Sequence, residues 1–218
     1  MTKIILSFES SYDIISITLL KNNIVSYVEC YGKFITSKYI LKFIKYILLK
    51  NNLSINNINA LLIGGDFSEF TGIRILLSVI YSLSLSYNIP IFKINSMQAI
   101  CLEIINMNIT KYIFIIINFK NNFFFGNLYC NISGKLIVIL KYIQIHIYEY
   151  IYFKNILFCF INLIYFNHFK NIHNIIYILP KSLYFNLIFY NKTILQHIIN
   201  PNYINIYYLN KLNYSKYT

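Results

Sequence analysis

Only six glycines occur in this 218-residue chain. Three of them, Gly64, Gly65 and Gly72, fall within eleven residues of one another, together with Arg74, the single arginine. Glycine tolerates left-handed backbone and the close approach of neighbouring groups, so a glycine-poor chain that gathers its glycines concentrates its special backbone geometry there. The flanks narrow the reading. Ile58 to Ile63 is a short, continuously apolar run of the kind that forms a buried strand. Gly72 to Tyr87 has helical spacing, with Leu76, Ile80 and Leu83 on one ridge and Ser78, Ser82 and Ser86 on another. A strand, a glycine loop and a helix therefore follow one another. The loop amides and helix N-terminus could face an anion, yet no phosphate-loop signature is present. Asp66 and Glu69 also place negative charge where a phosphate would sit, and a tight turn capped by Ser68 or Thr71 is the competing reading.

The order of the other elements constrains the fold further. Lys3 to Ser10, Ile14 to Leu20 and Ile24 to Tyr31 are short apolar runs joined by polar turns, which predicts an antiparallel meander. Ile35 to Lys50 switches to helical period: Ile40, Ile44, Ile47 and Leu48 form one stripe, and Tyr39, Phe43 and Tyr46 an offset second one. A helix with two apolar stripes has more than one neighbour. After Pro90, Ile91 to Ile94 reads as a strand, and Ser96 as the cap of a helix reaching Met107. Tyr112 to Asn118, Phe123 to Asn131 and Leu136 to Ile143, with a turn at Ser133-Gly134, then repeat the meander. A recurring strand–strand–strand–helix–strand–helix order predicts two related α/β lobes facing each other across a cleft, divided as 1–108 and 109–218. Beyond Gln144 the pattern weakens. The expectation is a helix over Phe153 to Phe166, a strand over Ile172 to Leu179, one or two short helices over Leu183 to Asn200, and an extended tail from Pro201.

Composition excludes several classes. With 57% hydrophobic and 18% aromatic residues, the chain is not disordered. No charge-free stretch supplies the roughly 20 apolar residues of a membrane span, because Ile75 to Phe92 is interrupted by serines, Asn88 and Pro90. The first residues reach Glu9 too soon for a signal-peptide core, and a cytoplasmic protein is expected. The net charge of +12 comes from lysine, since 18 of the 19 basic residues are lysine. An AT-rich genome writes Lys, Asn, Ile, Phe and Tyr freely, so the charge alone does not select nucleic-acid binding. Cys30, Cys101, Cys130 and Cys159 have no paired spacing and read as buried thiols in a reducing compartment. His146, His168, His173 and His197 form no metal-ligand pattern, and seven acids are too scattered for a catalytic pair.

Several segments together carry a family likeness. Phe70-Thr71-Gly72-Ile73-Arg74, after a strand and a glycine-bearing loop, resembles the Phe-Thr-Gly-Val-Arg signature of the TsaB (YeaZ) family. Ile5-Leu6-Ser7-Phe8-Glu9-Ser10-Ser11 is similar to that family's opening Ile-Leu-x-Ile-Asp-Thr-Ser. Asn95-Ser96-Met97-Gln98-Ala99 is similar to its Val-Ser-Ser-Leu-Glu-Ala segment, and Tyr207-Tyr208-Leu209-Asn210 to its closing Pro-x-Tyr-Leu-Arg. Ile116-Ile117-Asn118-Phe119-Lys120 resembles the Ile-Asp-Ala-Arg that opens the second lobe. The departures are specific. The opening aspartate is Glu9, Gly-Pro-Gly-Ser is Asp66-Phe67-Ser68-Glu69, and the second-lobe aspartate is Asn118, changes that weaken phosphate or magnesium chemistry.

The resemblance implies an actin-like, Hsp70-like ATPase fold of the ribonuclease H-like kind, with two lobes of mixed sheet and helices, the second degraded. It also implies a non-catalytic dimerisation subunit. Such a subunit pairs with a TsaD-like transferase, and with a TsaE-like ATPase, in forming threonylcarbamoyladenosine beside the anticodon of tRNA. In this reading Tyr39, Phe43 and Tyr46 supply aromatic anchors to the partner and Ser78 and Ser82 allow close helix approach, although codon drift from alanine accounts for the serines equally well. Glu9, Gly64, Gly65, Phe70, Thr71, Gly72 and Arg74 form a degenerate nucleotide loop needing no ATP, magnesium or other cofactor. The TsaD family holds a metal with a His-x-x-x-His pair in its first half, and no histidine precedes His146 here. An ATP-dependent enzyme of the same fold, a direct tRNA-binding module and a homodimer in the absence of the partner are the alternatives. Nothing in the residues supports proteolysis.

Overall fold

A computed structural model describes residues 3–11, 14–22, 24–32, 35–65, 70–106, 111–132, 135–149, 155–161, 167, 169 and 174–185. Contacts divide the chain into two units, Met1–Ser96 with Lys181–Thr218, and Met97–Pro180. The division expected at 108/109 follows chain order. Contacts instead carry the segment from Lys181 back to the first unit and start the second at Met97.

In the first unit, β1 (Ile4–Glu9), β2 (Ile14–Lys21) and β3 (Ile24–Tyr31) form the meander. β4 (Ala60–Ile63) and β5 (Ile91–Lys93) complete a five-stranded sheet in the order β3-β2-β1-β4-β5. β1 pairs antiparallel with β2 and parallel with β4, so it lies at the centre of the sheet. That position explains why all six of its residues are buried and why its run is continuous rather than alternating. α1 (Ile35–Lys50) and α2 (Phe70–Tyr87) pack on one face of this sheet, where Leu6, Phe8, Ile17, Leu61 and Ile63 meet Ile40, Ile44, Ile47, Leu76 and Ile80. The stripe read from the sequence of α1 is its buried face.

The second unit repeats the plan. α3 (Ser96–Asn106) leads to β6 (Tyr112–Lys120), β7 (Phe123–Ile132), β8 (Lys135–His146), β9 (Ile156–Phe160) and β10 (Ile175–Tyr177), in the order β10-β9-β6-β7-β8. Here β6 and β9 take the places of β1 and β4, and β6 again pairs antiparallel with the next strand and parallel with the crossover strand. A central strand with an antiparallel meander extending from one side and two parallel strands on the other is present twice. The degradation expected of the second lobe does not extend to its sheet, which keeps all five strands. Its core is aromatic, with Phe114, Phe124, Phe158, Phe160 and Phe169 buried together.

One expectation fails clearly. Phe153 to Phe166 is not a helix, because Ile156–Phe160 within it forms β9, paired with β6. A short, continuously apolar run has no periodicity that separates a buried strand from a buried helix, and here a neighbouring strand decided. Of the segment over Leu183 to Asn200, residues 183–185 are described, and Ser182–Tyr184 is one 3-10 turn. The Ser133-Gly134 turn and the tail from Pro201 lie outside the described residues.

Scarcity of glycine leaves a mark on the turns. Asn22, Asn52, Asn88, Asn121, Asn122 and Asn174 all adopt positive φ. Asparagine is the L-residue that tolerates the left-handed region best, since its short amide bonds to nearby backbone. At the end of α1, Asn51 Nδ2 donates to the Ile47 carbonyl at 2.7 Å and Asn52 turns left-handed, which closes the helix.

Candidate functional site

The glycine cluster and the carboxyl end of β1 meet in the first unit. Phe8 O accepts from Gly64 N at 2.9 Å, continuing the parallel ladder one residue beyond β4. That bond places Gly64 and Gly65 beside Glu9. The Glu9 side chain is fully buried, and both of its oxygens have partners: Ser11 Oγ donates to Oε1 and Ser96 Oγ to Oε2, each at 2.5 Å. Ser96 Oγ in turn accepts from Gly65 N at 3.2 Å. Ser96, expected as a helix cap, is the first residue of α3 and ties the glycine loop to Glu9. Gly65 has φ 111°, a conformation that favours glycine.

Phe185 and the turn before it close over this cluster. The Phe185 ring is fully buried. A Cβ on Gly64 would lie 2.3 Å from Phe185 Cζ and 2.3 Å from Glu9 Oε2, so glycine is required there by the close approach of both. Ser182 N donates to Ser16 Oγ at 2.9 Å, and the Ser182 and Thr18 hydroxyls are 2.8 Å apart. Lys181 Nζ reaches Glu29 Oε1 at 3.1 Å and Oε2 at 3.0 Å. Tyr27 also donates to Glu29. Partial burial alone would raise the Glu29 carboxyl, but the bonds from Tyr27, Lys181 and Tyr31 outweigh it and hold the group below its ordinary value. Burial and the bond to Glu29 push the Tyr27 hydroxyl well above the usual phenol range. Burial would lower Lys181, yet its bonds to Glu29 and Tyr31 leave it raised.

Nucleotide chemistry on this fold needs a carboxylate able to face a cation and a glycine loop open to phosphate. Here the Glu9 oxygens are engaged by two serines and the Phe185 ring lies against Gly64. The described residues therefore do not fit a magnesium nucleotide. Asp66, Phe67, Ser68 and Glu69 lie outside the described residues, as does the side chain of Asn118.

The signature itself joins three elements. Phe70 opens α2, and Thr71 and Arg74 are exposed. The Ser10 and Thr36 hydroxyls, 2.8 Å apart, link the end of β1 to the first turn of α1. A Cβ on Gly72 would stand 3.5 Å from Ser10 Oγ and 3.6 Å from Thr36 Oγ1, an ordinary contact. Gly72 thus brings the first turn of α2 close to that link without being sterically obligatory.

The residues expected at a partner interface separate into two kinds. Tyr39 and Phe43 stack at 5.4 Å between centroids and are half-buried against the first core. Tyr46 is 52% exposed, and Leu41 and Leu49 are each 64% exposed. Ser78 and Ser82 are exposed, with hydroxyls donating to the carbonyls of Ile75 and Ser78, both at 2.8 Å. Each serine thus closes on its own helix.

Ser11, Ser16, Lys181, Ser182 and Phe185 were not singled out by the sequence. Ser11 sat inside a recognised segment, but nothing local marks residues 181–185 as neighbours of β1. Among the described residues no group of three or more His, Cys, Asp or Glu side chains is placed to hold a metal ion, and no helix is long and apolar enough to cross a membrane. His146 lies edge-on to Phe123 at 4.7 Å. All four cysteines are free; Cys101, Cys130 and Cys159 are buried, whereas Cys30 is half-buried.

No family model matches the chain. Three curated relatives from Buchnera aphidicola, each named tRNA threonylcarbamoyladenosine biosynthesis protein TsaB, do match. The one from the Baizongia pistaciae subspecies is 36% identical over 90 residues, 41% of each chain. The one from Schizaphis graminum is 32% identical over 121 residues, 55% of this chain and 57% of that one. The one from Acyrthosiphon pisum is 35% identical over 99 residues, 44% of each. Among solved structures, a Pseudomonas aeruginosa protein described as similar to peptidase YeaZ superposes with TM-score 0.74 over 95% of this chain and 99% of its own, at 11% identity. The chain is similar to the TsaB/YeaZ family. YeaZ from the same organism gives TM-score 0.65 over 87% and 93% of the two chains, again at 11% identity, so the structural likeness speaks for the TsaB/YeaZ fold alone. The sequence matches span about half the length, or less, of the curated TsaB relatives.

Proposed function

We propose that this chain is a non-catalytic subunit in the synthesis of threonylcarbamoyladenosine on tRNA, and that it holds a TsaD-like transferase through α1 and α2. The observation that carries the reading is the surface of α1. It keeps Leu41, Tyr46 and Leu49 exposed on a helix whose other side is anchored in the core. Exposed apolar side chains on a rigid helix are what a helix-pairing interface requires. The names of the curated relatives supply the pathway. The engaged state of Glu9 and the position of Phe185 against Gly64 favour this reading over an ATP-dependent enzyme of the same fold.

The burial pattern changes which residues test the interface. Phe43 packs on the core, so Phe43→Asp would disturb folding as well as docking. Tyr46→Asp is the cleaner probe. The full chain is expected to co-elute with the TsaD-like chain encoded in the same genome, and Tyr46→Asp with Leu49→Asp to abolish this while leaving thermal unfolding unchanged. Undiminished co-elution of that double variant would overturn the interface. Tight Mg-ATP binding by the isolated chain in calorimetry would favour the enzyme reading instead.

A further inference from the structure

The docking face proposed above has a charge pattern that the family likeness does not account for. α1 contains four lysines, Lys38, Lys42, Lys45 and Lys50, in sixteen residues, where the whole chain has eighteen in 218. A uniform compositional drift would supply about one. Neither α1 nor α2 contains an aspartate or glutamate. All four lysines are exposed, and none joins an ion pair among the described residues. Lys38 and Lys42 lie over the Tyr39 ring at 5.3 and 5.8 Å, and Lys50 over Tyr46 at 5.9 Å, so the aromatic shoulder holds part of the ridge in place. Lys38, Lys42 and Lys45 follow the i, i+4, i+7 spacing of one helix face, and Leu41 and Leu49 project from the same side.

Resting on the reading that α1 is a docking helix, we infer that this ridge selects an acidic protein helix, one presenting carboxylates at helical spacing around sites for Leu41 and Leu49, and rejects a second copy of the chain. Two copies paired through α1 would oppose lysines to lysines with no acid on either helix to offset them, and like charges across an interface suppress that pairing. An acidic helix reverses the sign at every rung. Nucleic acid fits less well: its phosphates would satisfy the lysines but leave Leu41 and Leu49 with nothing to bury against, whereas a protein helix satisfies both.

The test compares the wild type with Lys38→Gln/Lys42→Gln/Lys45→Gln, whose changes are exposed and leave the core untouched, with unaltered thermal unfolding as the folding control. Association with the TsaD-like chain is followed over about 50 to 300 mM salt. The wild-type association rate should fall steeply with salt. The triple variant should associate about tenfold more slowly at low salt, with a flattened salt dependence and a dissociation rate changed little, the signature of rim charges. Wild-type chain alone should remain monomeric. An unchanged rate and salt slope in the triple variant, with Tyr46→Asp/Leu49→Asp still abolishing the complex, overturns the charge ridge and leaves the proposed function standing. Self-association of the wild type that is lost in Tyr46→Asp/Leu49→Asp overturns the rejection of a second copy. Loss of binding to a tRNA transcript in the triple variant, with partner association unchanged, transfers the ridge to RNA. Absence of any complex with the TsaD-like chain overturns both readings together.

Discussion

The two sheets share one strand order and differ in what their buried faces hold. In the first, Ser7, Glu9, Ser16 and Thr18 are all fully buried within the central pair β1 and β2. In the second, the corresponding pair β6 and β7 contributes Phe114, Phe124 and Ile116 to a cluster closed by Phe158, Phe160 and Phe169. β1 and β2 pair without a register shift, while β6 and β7 shift between Ile116 and Asn118, and β7 and β8 shift twice around Leu128. At one of these irregularities Tyr142 takes a positive φ, and its amide donates to Asn127 Oδ1 at 2.7 Å. The same topology therefore tolerates either an aromatic face or a polar one, in which Glu9, Ser16 and Thr18 are hydrogen-bonded while the buried Ser7 hydroxyl has no partner among the described residues. The polar version is the one attached to the glycine loop.

The comparison predicts that the aromatic face of the second sheet depends on volume and the polar face of the first on hydrogen bonds. The largest loss is expected for Phe124→Ala, which removes a ring in contact with Phe158, Phe160 and Phe169 and should cost about 3–5 kcal/mol. Denaturant unfolding of the second unit's transition measures it. A loss below about 1 kcal/mol would mean that the aromatic cluster is not the core of its unit.

Next come the two crowded glycines. A Cβ on Gly126 would stand 2.0 Å from the Ile115 carbonyl oxygen, and one on Gly64 2.3 Å from two side chains. Backbone in a paired strand cannot yield as side chains can, so Gly126→Ala should cost about 3 kcal/mol and Gly64→Ala about 2. Equal shifts in melting temperature would show that Phe185 and Glu9 are held as firmly as a strand.

Glu9→Gln keeps the shape but replaces one acceptor oxygen by a donor facing a serine hydroxyl. It should cost about 1–3 kcal/mol, and Phe185 should become less protected. Hydrogen exchange of the Gly64 and Gly65 amides reads this directly; unaltered exchange would mean the serines do not depend on Glu9.

The smallest effect is expected at Lys181. Replacing it in Lys181→Met removes a part-exposed ion pair worth less than about 1 kcal/mol at neutral pH. Its sign with pH is defined. Glu29 is lowered in the folded chain, so its contribution is present above the ordinary value of 4.5 and is lost as pH falls through the folded value. Lys181 is raised, so its contribution is full below the ordinary value of 10.5 and is lost above it. The difference between wild type and Lys181→Met should therefore shrink on acidification below 4.5. A difference that persists there would assign the effect to packing of the lysine stem.

Much of this was legible in the residues because the relevant signals are local. The bounds of α1 follow from its spacing and from Asn51-Asn52, the meander from its polar turns, and the position of the glycine loop from the scarcity of glycine elsewhere. β9 was misread since five apolar residues have no period of their own. The residues expected at an interface could not be ranked from the sequence, because half-burial of Tyr39 and Phe43 against exposure of Tyr46 depends on where the sheet and α2 lie.

The sequence by itself determined the element order of the first unit and the likeness to the TsaB/YeaZ family, since hydrophobic period, turn residues and a five-residue signature act over a few positions each. Tertiary structure alone decided that Glu9 is engaged by Ser11 and Ser96 and that Phe185, 121 residues after Gly64, lies against that glycine. The physical reason is that a buried carboxylate must be satisfied by whatever groups the fold brings within hydrogen-bond reach, and no local pattern names a partner so far along the chain.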